Sequence, residues 1–179
     1  MQLSSRTVYH GRVIGLDVDT VRYPDGSTGE LEMIRHPGAA AVVPVASDPR
    51  GDNPTLLLIK QYRYATGGTL WEIPAGRLAP GEDPADCARR ELLEEVGVTA
   101  GRVEPLTTIW TTPGFTDERI HLFWAADLKA GVHAREEDEF IEVVPRPLVD
   151  VLAAIRAGEI CDGKTVAAVL YMAGFVFGV

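Results

Sequence analysis

The sequence predicts an α+β domain in which helices flank a mixed β-sheet, and three observations predict it. Short β-favouring runs outnumber helical stretches, one helix in mid-chain has both ends marked, and two further helical stretches follow the last strands. With 179 residues, 46% of them hydrophobic and 24% charged, the chain suits one core and leaves little room for a second full domain.

Residues 7–35 hold β-favouring pieces at Thr7–Tyr9, Val13–Ile14, Val18–Tyr23 and Leu31–Ile34, arranged around Pro24-Asp25-Gly26, a turn sequence. They predict an N-terminal β-hairpin. Ala39–Ala46 and Leu56–Tyr62 are short apolar runs bounded by Pro, Gly and Asp, as in strands buried on both faces, with a polar loop over Ser47–Pro54. Asp83 can cap a helix, Pro84 suits its first position, Asp86 puts negative charge in its first turn, and Gly97 ends it. Further strands are expected at Val103–Trp110, Ile120–Ala126 and near Phe140–Val144. Helices are expected at Pro147–Ala157, stopped by Gly158, and at Lys164–Phe177.

Charge narrows the function. A formal net charge of −9 and no lysine or arginine cluster weigh against nucleic acid as a partner. An anionic small molecule would need placed arginines or bound cations. Cys87 and Cys161 lie far apart with no paired-ligand spacing and no apolar leader precedes them, so a reduced cytoplasmic setting is expected. The longest apolar run, around Val166–Val179, is too short and too interrupted by glycine to span a bilayer, and no membrane partner is expected.

The acidic residues of the mid-chain helix carry the chemistry. At roughly 100° per residue, Ala85, Ala88, Leu92 and Val96 gather on one face and Glu91, Glu94 and Glu95 on another. Like charges at that spacing destabilise a helix unless they are solvated or meet a counter-charge. Such a set suits either a solvated face or an oxygen-liganded ion such as Mg²⁺ or Mn²⁺.

The surrounding residues are more specific. Gly76, five residues, Glu82, seven residues, Arg90-Glu91-Leu92, one residue, Glu94-Glu95, one residue and Gly97-Val98 match the Nudix box at every fixed position, and the chain resembles a Nudix hydrolase. The resemblance implies an α/β/α sandwich with a mixed β-sheet, and hydrolysis of a nucleoside diphosphate linked to another group. It implies Mg²⁺ (or Mn²⁺) held by Glu91, Glu94, Glu95 and the backbone carbonyl of Ala75, with Glu95 also counted as catalytic and Glu82 and Arg90 supporting the loop and helix. Gly76 opens a glycine-containing loop whose backbone can approach that site closely.

Outside the box, Pro113 stands sixteen residues beyond Gly97 in TTPGFTDE (111–118), and KQYRYA (60–65) precedes WEIPAG (71–76). These segments resemble the ADP-ribose pyrophosphatase branch. The resemblance makes Arg63, Gly76, Pro113 and Gly114 substrate-binding residues, and a forked guanidinium at Arg63 suits a diphosphate. In REEDEFIEVV (135–144) it makes Glu137 the catalytic base and Glu139 a catalytic neighbour that touches a metal, with Glu136, Asp138, Glu139 and Glu142 close enough to take the role of base instead. It further implies a homodimer, with residues 1–35 as a dimerisation and substrate-binding arm on a hydrolase domain of residues 36–179.

Two alternatives share these features: a pyrophosphatase for another nucleoside diphosphate sugar such as GDP-mannose, and a non-catalytic module that senses ADP-ribose. His10, His36, His121 and His133 form no metal-ligand spacing, Cys87 has no histidine nearby in sequence, and Trp71 and Trp110 are read as core or pocket wall.

Overall fold

The computed structural model describes residues 1–131 and 141–178. At the N-terminus, β1 (Gln2–His10), β2 (Gly15–Arg22) and β3 (Thr28–Arg35) form an antiparallel sheet in that order. The expected turn joins β2 to β3. Tyr23 donates its N–H to the carbonyl of Ser27, Asp25 accepts from the Ser27 amide and hydroxyl, and Gly26 takes a φ of +88°, where a side chain would be strained. The hairpin thus gains a third strand. Every residue of β1 is exposed, so no alternation of apolar and polar residues marks it; its ladder to β2 supplies the order instead.

The rest of the described chain runs β4 (Ala39–Pro44), β5 (Thr55–Arg63), β6 (Gly68–Glu72), β7 (Ala75–Arg77), α1 (Pro84–Glu91), β8 (Val98–Trp110), β9 (Arg119–Ala130), β10 (Ile141–Pro147), α2 (Leu148–Ala157) and α3 (Gly163–Met172). One sheet has the order β7-β4-β9-β8. It is mixed, because β4 runs parallel to β9 while the other pairs are antiparallel. A second, antiparallel sheet has the order β10-β5-β6.

All six residues of β4 are buried, and their alternation builds the layers. Ala40 and Val42 point to one side, into a cluster with Cys87, Ala88 and Leu92 of the box helix and Phe123 and Ala125 of β9. Ala41 and Val43 point to the other, against Val151 and Ala154 of α2 and Ala168, Val169 and Met172 of α3. This is the expected α/β/α sandwich. Among the described residues, no helix is long and apolar enough to cross a membrane.

Two features depart from the helical pattern. The box helix finishes in a π-type turn, Leu92–Val96, before Gly97 ends it at a φ of +75°. Its buried set is Cys87, Ala88, Leu92 and Val96 together with Glu91 and Glu95, so the carboxylates divide between inside and surface instead of sharing a solvated face. The third helix likewise passes into a π-type turn at Ala173–Phe177. The short strands β6 and β7 lie where sequence signals turn: β7 is three residues of Ala-Gly-Arg, ordered by pairing with Ala39–Ala41.

Candidate active site

The Gly76–Gly81 loop is fastened to α1 by a single arginine. Asp83 caps the helix by accepting the Ala85 N–H at 2.8 Å. Arg90 then donates from Nε and Nη2 to the two oxygens of Glu82 at 3.0 and 3.1 Å, and from Nη2 to the carbonyl of Arg77 at 3.1 Å. Glu82 also accepts the Ala79 N–H at 2.8 Å. The Arg90 guanidinium, helped by that N–H, holds the Glu82 carboxyl down at about 2, and Glu82 in turn raises Arg90.

The same guanidinium reaches two more glutamates of the box. Nη1 donates to Glu91 Oε1 at 2.6 Å and to Glu94 Oε2 at 2.9 Å, so one cation answers the like-charge repulsion along the helix. Glu91 and Glu95 are buried at 6% and 2% exposure, whereas the Glu94 side chain is 35% exposed. Glu95 accepts the Ala75 N–H at 3.0 Å, which ties the helix to β7. Glu91 faces the neighbouring residue. A Cβ placed on Gly76 would lie 1.7 Å from Glu91 Oε1, so the absence of a side chain there is what lets backbone and carboxylate approach.

These residues fit a hard divalent ion in kind. Glu91, Glu94, Glu95 and the Ala75 carbonyl offer only oxygen, and the Gly76 cradle brings the backbone against the carboxylates. Among the described residues, no three acidic, histidine or cysteine side chains already converge as a ligand group. Glu91 and Glu94 both bond to the Arg90 guanidinium.

Beside Ala75 and Gly76 opens a cleft of about 740 Å³, lined also by Arg63, Arg77, His36, Trp110, Glu118 and Lys164. A separate depression of about 900 Å³, between the Asp48–Pro54 loop and α2, shares no residue with it; the box glutamates line neither, but Ala75 and Gly76, which Glu95 and Glu91 contact, are in the wall of the 740 Å³ cleft. Of the sequence-derived substrate residues, Arg63 and Gly76 line the cleft and Pro113 and Gly114 do not. The ends of their loop, Thr111 and Glu118, do, while Gly114 lines a smaller depression of about 530 Å³ with Arg6, Glu30 and Phe115. That loop is pinned to the arm by Ile34 N–H to the Phe115 carbonyl at 2.7 Å and by Arg35, which joins Asp17 and Asp19 of β2 to Asp117. Glu137 and Glu139, and with them Glu136, Asp138 and His133, lie outside the described residues.

The remaining side chains take quieter roles. Trp110 is half exposed beneath the Arg119 guanidinium and forms cleft wall, and Trp71 packs under Lys60 and Arg146. Cys87 is buried, and burial pushes its thiol up to about 12, which removes it as a nucleophile. Sequence reasoning missed Glu72, Lys164 and Asp162, a charged cluster behind and beside Arg63. A glutamate directly before Ile73-Pro74-Ala75-Gly76, next to an arginine-bearing strand, was the available signal.

A family model described as the NUDIX domain matches residues 35–168. The chain belongs to the Nudix family. It is similar to an ADP-ribose pyrophosphatase of Bacillus subtilis, 39% identical over 172 residues that cover 95% of this chain and 90% of that one. A methanol dehydrogenase activator of Bacillus methanolicus is 39% identical with the same coverage. A GDP-mannose pyrophosphatase of Citrobacter koseri is 39% identical over 127 residues, 66% of each chain. A solved structure of an ADP compounds hydrolase superposes on this Nudix fold with a TM-score of 0.84 at 24% identity, covering 99% of this chain and 94% of that one.

Proposed function

We propose that this protein hydrolyses the pyrophosphate bond of ADP-ribose to AMP and ribose 5-phosphate with Mg²⁺ (or Mn²⁺). The observation that carries the reading is an intact Nudix box whose buried glutamates back onto the Ala75–Gly76 wall of a cleft that also exposes Arg63. Near full-length similarity to an ADP-ribose pyrophosphatase supports this substrate over GDP-mannose, whose pyrophosphatases align over a shorter span.

In this reading Glu91, Glu94, Glu95 and the Ala75 carbonyl hold the divalent ion. When bound, the ion neutralises charge on the diphosphate and makes water a better nucleophile. Arg63 grips and orients the diphosphate through the donors it presents to the cleft. Glu137 takes the proton of the attacking water and Glu139 assists; a Glu137→Gln variant that turned over normally would pass the role to a neighbour on its segment. Glu82 and Arg90 keep the loop registered on the helix.

The exposed β1, with Leu3, Val8 and Tyr9 open to solvent, supports residues 1–35 as the dimerisation arm on a 36–179 domain. Two free cysteines, one buried and one exposed, support a cytoplasmic setting. The test is turnover of ADP-ribose and GDP-mannose in parallel with Mg²⁺ and product identification. AMP with ribose 5-phosphate is expected; a clear preference for GDP-mannose would overturn the substrate, and no turnover of either would favour a sensing module.

A further inference from the structure

Glu72 closes β6 with its carboxylate buried, the residue being 1% exposed. A carboxylate taken out of water this far persists only if it is fully paired. It is. Oε1 accepts from Arg63 Nε at 2.7 Å, Oε2 accepts from Arg63 Nη2 at 2.8 Å, and Oε2 also accepts from Lys164 Nζ. Arg63 and Lys164 line the cleft, but Glu72 does not. The order from solvent inward is therefore two cations in front and one carboxylate behind.

The two cations are not equivalent. Lys164 also donates to Asp162 at 3.0 Å, and the same Asp162 oxygen accepts from the Thr165 amide and hydroxyl to cap α3. Among the described residues, Arg63 has no second acid in its hydrogen bonds. A guanidinium carries five N–H donors in a rigid fork, and Glu72 takes two of them, from Nε and one edge of Nη2. Three remain, on Nη1 and the outer edge of Nη2. With its side chain 41% exposed, Arg63 would turn freely in solvent without the bidentate clamp, and the clamp fixes the plane in which the three donors lie.

We propose that Glu72 is a positioning residue for substrate: it never touches the diphosphate, but sets the guanidinium of Arg63 so that its three remaining donors are ordered before substrate arrives. This rests on the proposed hydrolysis of a nucleoside diphosphate sugar in this cleft. Ordering the fork in advance removes a cost that binding would otherwise carry, so the effect belongs in substrate affinity.

Steady-state kinetics on the full chain test it, using the unaltered protein, Glu72→Gln, Arg63→Ala and the double variant with ADP-ribose. Glu72→Gln should raise KM by about tenfold, the size of a weakened charge-assisted hydrogen bond, with kcat within about twofold. The double variant should match Arg63→Ala alone, because a residue that acts only through Arg63 has nothing left to act on. Additive losses, or a fall in kcat at unchanged KM, would overturn the role of Glu72. Glu72→Gln leaves Lys164 short of one partner, so the same cycle repeated on a Lys164→Met background, with melting followed by circular dichroism, separates positioning from simple loss of fold. Turnover by the unaltered protein reports on the function independently: its absence sinks both readings, whereas an active protein with an additive cycle sinks only this one.

Discussion

The carboxylate of Glu91 occupies the space that any side chain on Gly76 would need, with Oε1 1.7 Å from where a Cβ would be. The clash is with the far end of a side chain and not with backbone, so Gly76→Ala should fold, with Glu91 swung away and its 2.6 Å bond to Arg90 broken. We expect a fall in kcat on the order of 10²-fold, as for loss of one preorganised electrostatic partner, with the melting temperature lowered by only a few degrees. Paired kinetic and melting measurements check this. An active Gly76→Ala protein would mean that the close approach is incidental.

Acid stability should carry the mark of Glu82. Its carboxyl sits at about 2 in the folded protein against an ordinary value of 4.5. The folded pKa is the lower, so the unfolded chain binds more protons between these values and stability rises with pH there. The contribution is complete above about pH 4.5 and is lost as pH falls through about 2. Because Arg90 is part-exposed, its size should be about 1 kcal/mol. Urea unfolding of Glu82→Gln and the unaltered protein should differ by a constant amount above pH 5 and converge toward pH 2; a gap that widened on acidification would contradict the pairing.

These two relationships show what was legible in the sequence and what was not. The box spacing and the unbroken apolar run of β4 reveal the sandwich, since burial on two faces leaves such runs for a reader to see. Two things stayed hidden for physical reasons. Only Thr7–Tyr9 of β1 was legible, because the strand is held by its ladder with no buried side chain to mark the rest, and β7 is three residues long in a sequence that otherwise signals a turn. Within the site, a uniform 100° per residue placed three glutamates side by side. The π-type turn and Arg90 redistribute them: Glu95 goes inward to the Ala75 amide and Glu94 stays toward solvent. The clamp of Glu72 on Arg63 depends on two strands meeting, which local spacing does not report.

The two cysteines should separate in reactivity. Burial holds the Cys87 thiol up at about 12, so at pH 8 its thiolate fraction is on the order of 10⁻⁴, and its Sγ is tucked against the carbonyls of Gly76 and Arg77. Cys161 is exposed. Titration with a thiol reagent should find one reactive group in the native protein and two after unfolding. Two fast-reacting groups in the native state would show that the packing between loop and helix is looser than described.

The last prediction concerns Glu95, where charge can be removed while shape is kept. Its Oε2 accepts the Ala75 N–H at 3.0 Å in a buried position, and a glutamine there retains an oxygen to accept the same bond. Glu95→Gln should therefore keep the β7 contact and most of the stability while losing one negative ligand. We expect kcat to fall on the order of 10³-fold and Mg²⁺ affinity, read by calorimetry, to fall at least about tenfold. The two readouts distinguish causes. Weakened metal binding with an intact melting curve assigns Glu95 to the ion, a collapsed melting curve assigns it to the fold, and unchanged values of both with full turnover would remove it from the site.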